Sequence, residues 1–141
     1  MIRPKRTARE NRQGVATVEL AFVLPAFIAL VFGSIEICQR LHVKQSALVA
    51  AYEACRVATR PISDTAAVQA HCETLLTQQH VQWNSIQIRN MTQAKNNLDD
   101  IATGDEIRIR IIVPWTQNTI SNYVIGDSGG TFQVNAHMLR E

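Results

Sequence analysis

Residues 14–37 form one apolar run with only two charged side chains, Glu19 near its start and Glu36 near its end. At about 1.5 Å per residue, a helix over this run would be roughly 35 Å long, enough to cross a hydrocarbon core of about 30 Å. The run therefore predicts a single membrane-spanning helix. A secretory signal peptide fits poorly, because the far end of the run offers no small-residue cleavage site.

A basic leader precedes the apolar run. Its positive side chains are Arg3, Lys5, Arg6, Arg9 and Arg12, opposed only by Glu10. Because basic flanks stay on the cytoplasmic side, we expect a single-pass inner-membrane protein with a cytoplasmic N-terminus and a periplasmic C-terminal domain. The formal charge of the whole chain is +2, and the part after residue 14 carries a slight excess of acidic side chains. The basic leader is thus a topology signal, and we expect no nucleic-acid binding.

The boundary between leader and run has a recognisable order of residues. Gly14 and Val15 stand at the boundary, Glu19 follows, and Val18-Glu19-Leu20-Ala21 leads to Leu24-Pro25. This order resembles the cleavage site of type IV prepilins. More narrowly, it resembles the TadE-like family, minor pilins (pseudopilins) of the tight-adherence (Tad/Flp, type IVc) pilus. The ending at residues 136–141, and Gly104-Asp105 before an alternating strand, are similar to that family as well.

The resemblance implies roles for three residues. A prepilin peptidase would cut between Gly14 and Val15, and Glu19 would pair with the new amine of Val15, usually that of a neighbouring subunit, during assembly. A simpler interpretation of Glu19 remains open, because an acid so close to the start of a membrane helix can reach the headgroups.

The rest of the chain predicts an α+β fold: the membrane helix extended beyond the membrane, a second helix, and a small antiparallel sheet of about three strands. We divide the chain into a leader (1–14), the transmembrane and extended helix (15–60) and an extracytoplasmic α+β domain (61–141). Pro61 breaks the first helix, and the second runs from Thr65 to about His80. Its apolar face is expected to hold Val68, Cys72, Leu75 and Gln79, with Leu76 at the flank.

Alternation of apolar and polar residues places the strands. It is clearest over residues 106–113, ended by Pro114, and it recurs over 132–138 and around Ile86 and Ile88. On the first helix, Ala47, Ala51, Ala54 and Ala58 share one face. This face either admits a second helix closely or only reflects the helix propensity of alanine.

No motif predicts an enzyme, a cofactor or a metal site. The histidines form no HExxH, and no phosphate-binding glycine loop or nucleophile elbow is present. The acid pair Asp105-Glu106 is interpreted as solvated, and the glycosylation triplet at Asn90 as chance.

The chain has three cysteines, at positions 38, 55 and 72. Cys55 and Cys72 stand at similar distances from the helix break, so an antiparallel helix pair would bring them level and allow a disulfide in the periplasm. The alternative is two apolar thiols packed in the core. Cys38 is expected to be a free, buried thiol.

These observations predict a minor pilin or pseudopilin that a prepilin peptidase processes and that contributes to pilus assembly or adhesion. Its expected partners are that peptidase, other major and minor pilins, the inner-membrane assembly platform and membrane lipid, with incorporation into an extracellular pilus as one outcome. The alternative is an uncleaved single-pass membrane protein whose periplasmic domain binds another envelope component.

Overall fold

The computed structural model describes residues 8–60, 64–96, 98, 101–118 and 129–140, with side-chain detail from residue 14 onward. Helix α1 runs over Ala8–Ala58 and helix α2 over Thr65–Gln78. The strands are β1 at Ser85–Asn90, β2 at Glu106–Pro114 and β3 at Thr131–Leu139. This is the predicted α+β architecture. The predicted leader and the break at Pro61 fall largely outside the described residues.

Helix α1 is a single helix with two different environments along its length. Pro25 lies inside it, yet the helix continues through that residue. Side chains from residue 14 to 30 are all exposed, whereas Val43 and the alanines near the C-terminal end are buried. Within the described residues, α1 is the one helix long and apolar enough to cross a membrane. The first half of α1 therefore has no protein cover, and the second half is part of a domain.

Helix α2 packs on the C-terminal half of α1. The four predicted alanines, Ala47, Ala51, Ala54 and Ala58, are completely buried. Their small side chains let α2 and the sheet come close, so this face serves packing within the domain. On α2 the buried residues are Val68, Cys72 and Leu76, while Leu75 is half-buried. The prediction that placed Leu75 on the face and Leu76 at its flank was wrong by one position, because an i, i+4, i+8 row faces α1.

The helix end also differs slightly from the prediction. Helix α2 stops at Gln78, and His80 adopts a left-handed backbone with φ of 56°. The Val81 N–H then bonds to the Leu76 carbonyl at 2.9 Å, which turns the chain toward the sheet. Val81 is buried below this turn.

The sheet is an antiparallel meander in the order β1-β2-β3. Ile107, Ile109, Ile111 and Val113 of β2 are completely buried, as their alternation predicts. Ile109 lies between Ile88 of β1 and Ala136 of β3 in the strand register. This apolar face packs against α1, and the opposite face carries polar side chains.

Candidate functional site

The proposed cleavage point lies within helix α1. Gly14 is helical and exposed, and a Cβ added there would meet no atom within 4 Å. Val15 is 59% exposed. Glycine weakens a helix by about 1 kcal/mol relative to alanine, so the backbone opens more readily at this residue. Nothing in the described chain therefore obstructs access to the bond between Gly14 and Val15.

Glu19 lies one helical turn beyond Val15, roughly 6 Å along the axis. Its side chain is exposed, and no basic side chain among the described residues pairs with it. The structure thus places Gly14, Val15 and Glu19 on the same uncovered part of α1. A charged partner of Glu19 would therefore have to be a group other than the basic side chains that the structure describes.

A charged pair marks the place where α1 enters the domain. The Arg40 Nη2 lies 3.3 Å from Oε1 of Glu36, whose side chain is fully buried, while that of Arg40 is 18% exposed. The Arg40 guanidinium also lies 5.3 Å from the centre of the Trp115 ring, and Trp115 packs on Phe132 at 4.2 Å. Sequence reasoning treated Glu36 only as the end of the apolar run.

The helical period explains why Glu36 is buried. Counting from residue 36, the steps of seven, four, three and four residues reach Val43, Ala47, Ala50 and Ala54, which are all buried. Glu36 is thus the first residue of the domain-facing side of α1. The i, i+4 spacing of Glu36 and Arg40 was a visible signal for the pair.

The side of α1 opposite Glu36 is exposed both along the apolar span and beside the domain. Its apolar members are Phe27, Leu30, Ile37, Leu41, Val49 and Tyr52. Most of them follow three- and four-residue steps, so they form one stripe that continues from the apolar span onto the domain-bearing half. We call these six residues the outer stripe.

Cys55 and Cys72 both lie in the core and carry free thiols in the structure. Burial raises the pKa of Cys55 to about 11 and that of Cys72 to about 12, and the pKa of Cys72 is raised further by the charge of a Cys55 thiolate. The Cys55 thiol donates to the Ala136 carbonyl at 3.5 Å. The disulfide between them stays a prediction, whereas Cys38 is exposed and the expectation that it is buried was wrong.

A polar cluster closes the far end of the sheet. Asp105 is only 5% exposed, and its Oδ2 accepts hydrogen bonds from the Asn90 side chain at 2.8 Å, the Gln93 side chain at 2.9 Å and the Ala102 N–H at 3.0 Å. The bond from Asn90 is the main cause that lowers the pKa of Asp105. The interpretation of Asp105 as a solvated acid was therefore wrong.

Asn90 itself is 1% exposed, and its Oδ1 accepts from the backbone N–H of Thr92 and Gln93. Both ends of its amide are occupied, in agreement with the view that the glycosylation triplet arose by chance. The cluster joins the loop after β1 to the start of β2. The hydrogen bonds described for Asn90 and Asp105 all lie within the domain, which indicates a structural role for the cluster.

Among the residues that the structure describes, no group of three histidine, cysteine or acidic side chains could hold a metal ion. Residues 14–56 match the family model described as TadE-like protein. The matched segment covers the exposed span of α1, the Glu36–Arg40 junction and most of the domain-bearing half. This segment of the chain is therefore TadE-like. No curated protein and no solved structure gives a significant match.

Proposed function

We propose that this protein is a TadE-like minor pilin of a Tad-type pilus, which a prepilin peptidase processes before assembly. The observation that carries this proposal is the TadE-like match over residues 14–56, a segment that coincides with an exposed apolar helix carrying a small α+β domain. In this view the chain is a substrate and a structural subunit and performs no catalysis.

Topology follows from the leader. The basic residues before Gly14 hold the N-terminus in the cytoplasm, and the apolar span carries the rest across the inner membrane. The bond after Gly14 then lies at the cytoplasmic face, where an inner-membrane peptidase works. Exposure of Gly14 and Val15 on the helix supports this order of events.

After cleavage, Val15 would carry a positively charged amine about one turn from Glu19. Burial of either charge alone in apolar surroundings is costly, and pairing offsets part of that cost. The Glu19 side chain is exposed on the uncovered part of α1, so the amine of a neighbouring pilin can reach its carboxylate. Such a pair would select one axial register between adjacent helices.

The outer stripe provides a surface for contacts between helices of adjacent pilins. It runs from the apolar span, with Phe27 and Leu30, to Leu41 and Tyr52 beside the domain. The domain covers the other side of α1 from Glu36 onward, which leaves the stripe available to a neighbour. Other pilins and the inner-membrane assembly platform are accordingly the expected partners.

The mature N-terminus tests the proposal most directly. The protein would be purified from membranes of a cell that expresses the pilus system, and its N-terminal peptide identified by mass spectrometry. We expect Val15 at the N-terminus in cells with the prepilin peptidase and Met1 in cells that lack it. Met1 in both strains would favour an uncleaved single-pass protein whose outer domain binds another envelope component.

A further inference from the structure

Strand β1 is one edge of the sheet, and a groove runs beside it. The groove has a volume of about 330 Å³ and is lined by residues 86–89 of β1, by Thr65 and Gln69 of α2, and by Asn96. Four consecutive strand residues extend over roughly 13 Å, so the groove follows the direction of the strand. Its lining of strand residues on one side and α2 residues on the other would suit an extended chain between a strand edge and a helix.

The hydrogen-bond pattern shows which backbone groups face the groove. The Met91 N–H donates to the Glu106 carbonyl of β2 at 2.7 Å, whereas the Asn90 N–H donates to the Lys95 carbonyl on the other side at 2.9 Å. Backbone groups alternate between the two sides of an antiparallel strand. The N–H and C=O groups of Ile86 and Ile88 therefore point away from β2 and into the open edge.

Within the described residues, no backbone group bonds to Ile86 or Ile88 from the groove side. One end of the groove is closed near Leu98, which lies in the connection between β1 and β2. The Leu98 N–H donates to Oγ1 of Thr65 at 2.9 Å and holds this part of the connection against α2. An unpaired edge next to a preformed helix wall is the arrangement that accepts an additional strand from another chain.

Charge on the outer face of the sheet indicates what kind of strand would bind. Arg89 of β1 lines the groove and lies directly opposite Arg108 of β2 in the register. Like charges at opposed positions destabilise a sheet. Among the described residues, neither guanidinium has a carboxylate within ion-pairing distance. Acidic side chains from an added strand would relieve this repulsion.

We propose that the β1 edge binds an extended acidic segment of a partner protein as a fourth strand of the sheet. The segment pairs with the outward backbone groups of Ile86 and Ile88, and its acidic side chains lie beside Arg89, which offsets the repulsion between Arg89 and Arg108. Its alternate side chains point toward α2 and contact the groove floor. This site is separate from the outer stripe of α1 and does not depend on cleavage at Gly14.

The test uses the full chain in detergent micelles and three labelled, end-capped seven-residue peptides. The first alternates valine with glutamate, the second alternates valine with lysine, and the third is the acidic peptide with proline at its centre. Proline removes a strand donor and cannot extend a sheet. We expect binding of the acidic peptide by fluorescence anisotropy and, in its presence, amide exchange at Ile86 and Ile88 slower by roughly tenfold or more.

Charge reversal supplies the matched variants. Arg89 is exposed and makes no described side-chain bond, so Arg89→Glu should leave the fold intact. The variant should bind the acidic peptide with an affinity lower by roughly threefold to tenfold. The same change should improve binding of the lysine peptide. Lys44→Glu makes an equal charge change on α1, outside the groove, and should alter neither affinity.

Three results would overturn the proposal. One is equal binding of the proline peptide with no change in amide exchange, which would mean simple attraction of a polyanion. Another is amide exchange at Ile86 and Ile88 that, in the absence of peptide, becomes slower as the protein concentration rises. That result would mean that a second copy of this chain occupies the groove. The third is no binding of the acidic peptide at concentrations up to about 1 mM.

Discussion

The Arg40 guanidinium lies 3.3 Å from the Glu36 carboxylate, and none of the Glu36 side chain is exposed. This pair stands where α1 changes from a helix without protein cover to a helix that carries a domain. Arg40 also reaches over the Trp115 ring, which connects the pair to the end of β2. The junction therefore fixes the domain to the helix immediately after the apolar span.

Replacement of Arg40 should weaken this junction strongly. In Arg40→Ala a buried acid loses its cation, and loss of one partner of a buried pair costs roughly 3 kcal/mol. Urea unfolding in detergent micelles, followed by tryptophan fluorescence because Trp115 lies beside Arg40, would measure the change. The double variant Glu36→Leu/Arg40→Met should recover most of the loss, since it replaces both charges of the pair with apolar side chains.

An exposed pair on the same helix serves as the control. Arg56 and Glu53 are 4.0 Å apart with 69% and 48% of their side chains exposed. Arg56→Ala should therefore change the free energy of unfolding by about 0.5 kcal/mol or less. Equal effects of the two arginine variants would mean that Glu36 and Arg40 do not anchor the domain.

Much of the fold follows from local patterns. The alternation over Ile107, Ile109 and Ile111 predicts β2, and the structure buries all three. The helices and three strands lie where periodicity places them because each element has one apolar face. Residues with several long-range contacts were harder to predict. Asp105 was interpreted as solvated because nothing local shows that Asn90 and Gln93 will donate to it.

The candidate site likewise contains residues that the sequence predicted and one residue, Glu36, that it did not. Gly14, Val15 and Glu19 are recognisable from the sequence because the roles proposed for them depend on their order along the chain. The buried Glu36 was missed because an acid at the end of an apolar run is also what a water-facing helix end would show. Its burial depends on the domain that folds back over α1. That packing also brings Trp115, which is distant in the sequence, next to Arg40.

The Asp105 cluster should make the domain sensitive to acid. The hydrogen bond from Asn90 lowers the pKa of Asp105 below its ordinary value of 3.8. Stability from the ionised carboxylate is therefore fully present above that value and is lost as the pH falls through the lowered pKa. We expect the urea concentration at the unfolding midpoint of the unmodified protein to decrease when the pH is lowered below about 4. The Asp105→Asn variant should be less stable at neutral pH, and its stability should depend less on pH in the acid range.

Asp64 provides a matched control for that experiment. It precedes α2 at the N-cap position, is exposed, and makes no side-chain cap hydrogen bond. Asp64→Asn should preserve both the neutral stability and the acid dependence of the unmodified protein. An Asp105→Asn variant that behaves like Asp64→Asn would contradict the assigned role of the cluster.

Gly14→Leu should block maturation and leave membrane insertion intact. A Cβ added at residue 14 meets no atom within 4 Å, and the leader and apolar span are unchanged, so loss of cleavage would report recognition by the peptidase. An immunoblot of the membrane fraction should show the full-length form. Ala21→Leu adds similar bulk in the same exposed span and should mature normally, and normal processing of Gly14→Leu would remove the main support for cleavage at this site.

Glu19→Leu should reduce assembly although it makes the span more apolar. If Glu19 pairs with the Val15 amine of a neighbour, both Glu19→Leu and Glu19→Gln lose the ion pair while cleavage continues. Co-purification with partner pilins should then fall several-fold, as expected for a pair worth roughly 1 kcal/mol or more in apolar surroundings. Unchanged recovery of partner pilins with both variants would mean that the carboxylate only reaches the headgroups.

The cysteines of the two helices differ in how they should react. In the reduced protein Cys55 and Cys72 are buried thiols, and burial raises the pKa of Cys55 to about 11 and that of Cys72 to about 12, so the reactive thiolate is scarce at neutral pH. Cys38 is exposed and should be alkylated first in the native protein. The stabilising effect of keeping the buried thiols neutral is complete below their ordinary pKa of 9.0 and is lost as the pH rises through the raised values.

We expect a disulfide between Cys55 and Cys72 in the exported protein, formed in the oxidising periplasm while the helices are still assembling and both thiols are accessible. Closure of a loop of about 17 residues would stabilise the helix pair by roughly 3 kcal/mol on the chain-entropy model. Trypsin cuts after Arg56 and separates the two cysteines, so non-reducing peptide mapping should join peptides 45–56 and 57–89. Cys38→Ser should leave this linkage unchanged. Alkylation of both Cys55 and Cys72 after denaturation of the exported protein without reductant would show instead that they pack as two apolar thiols.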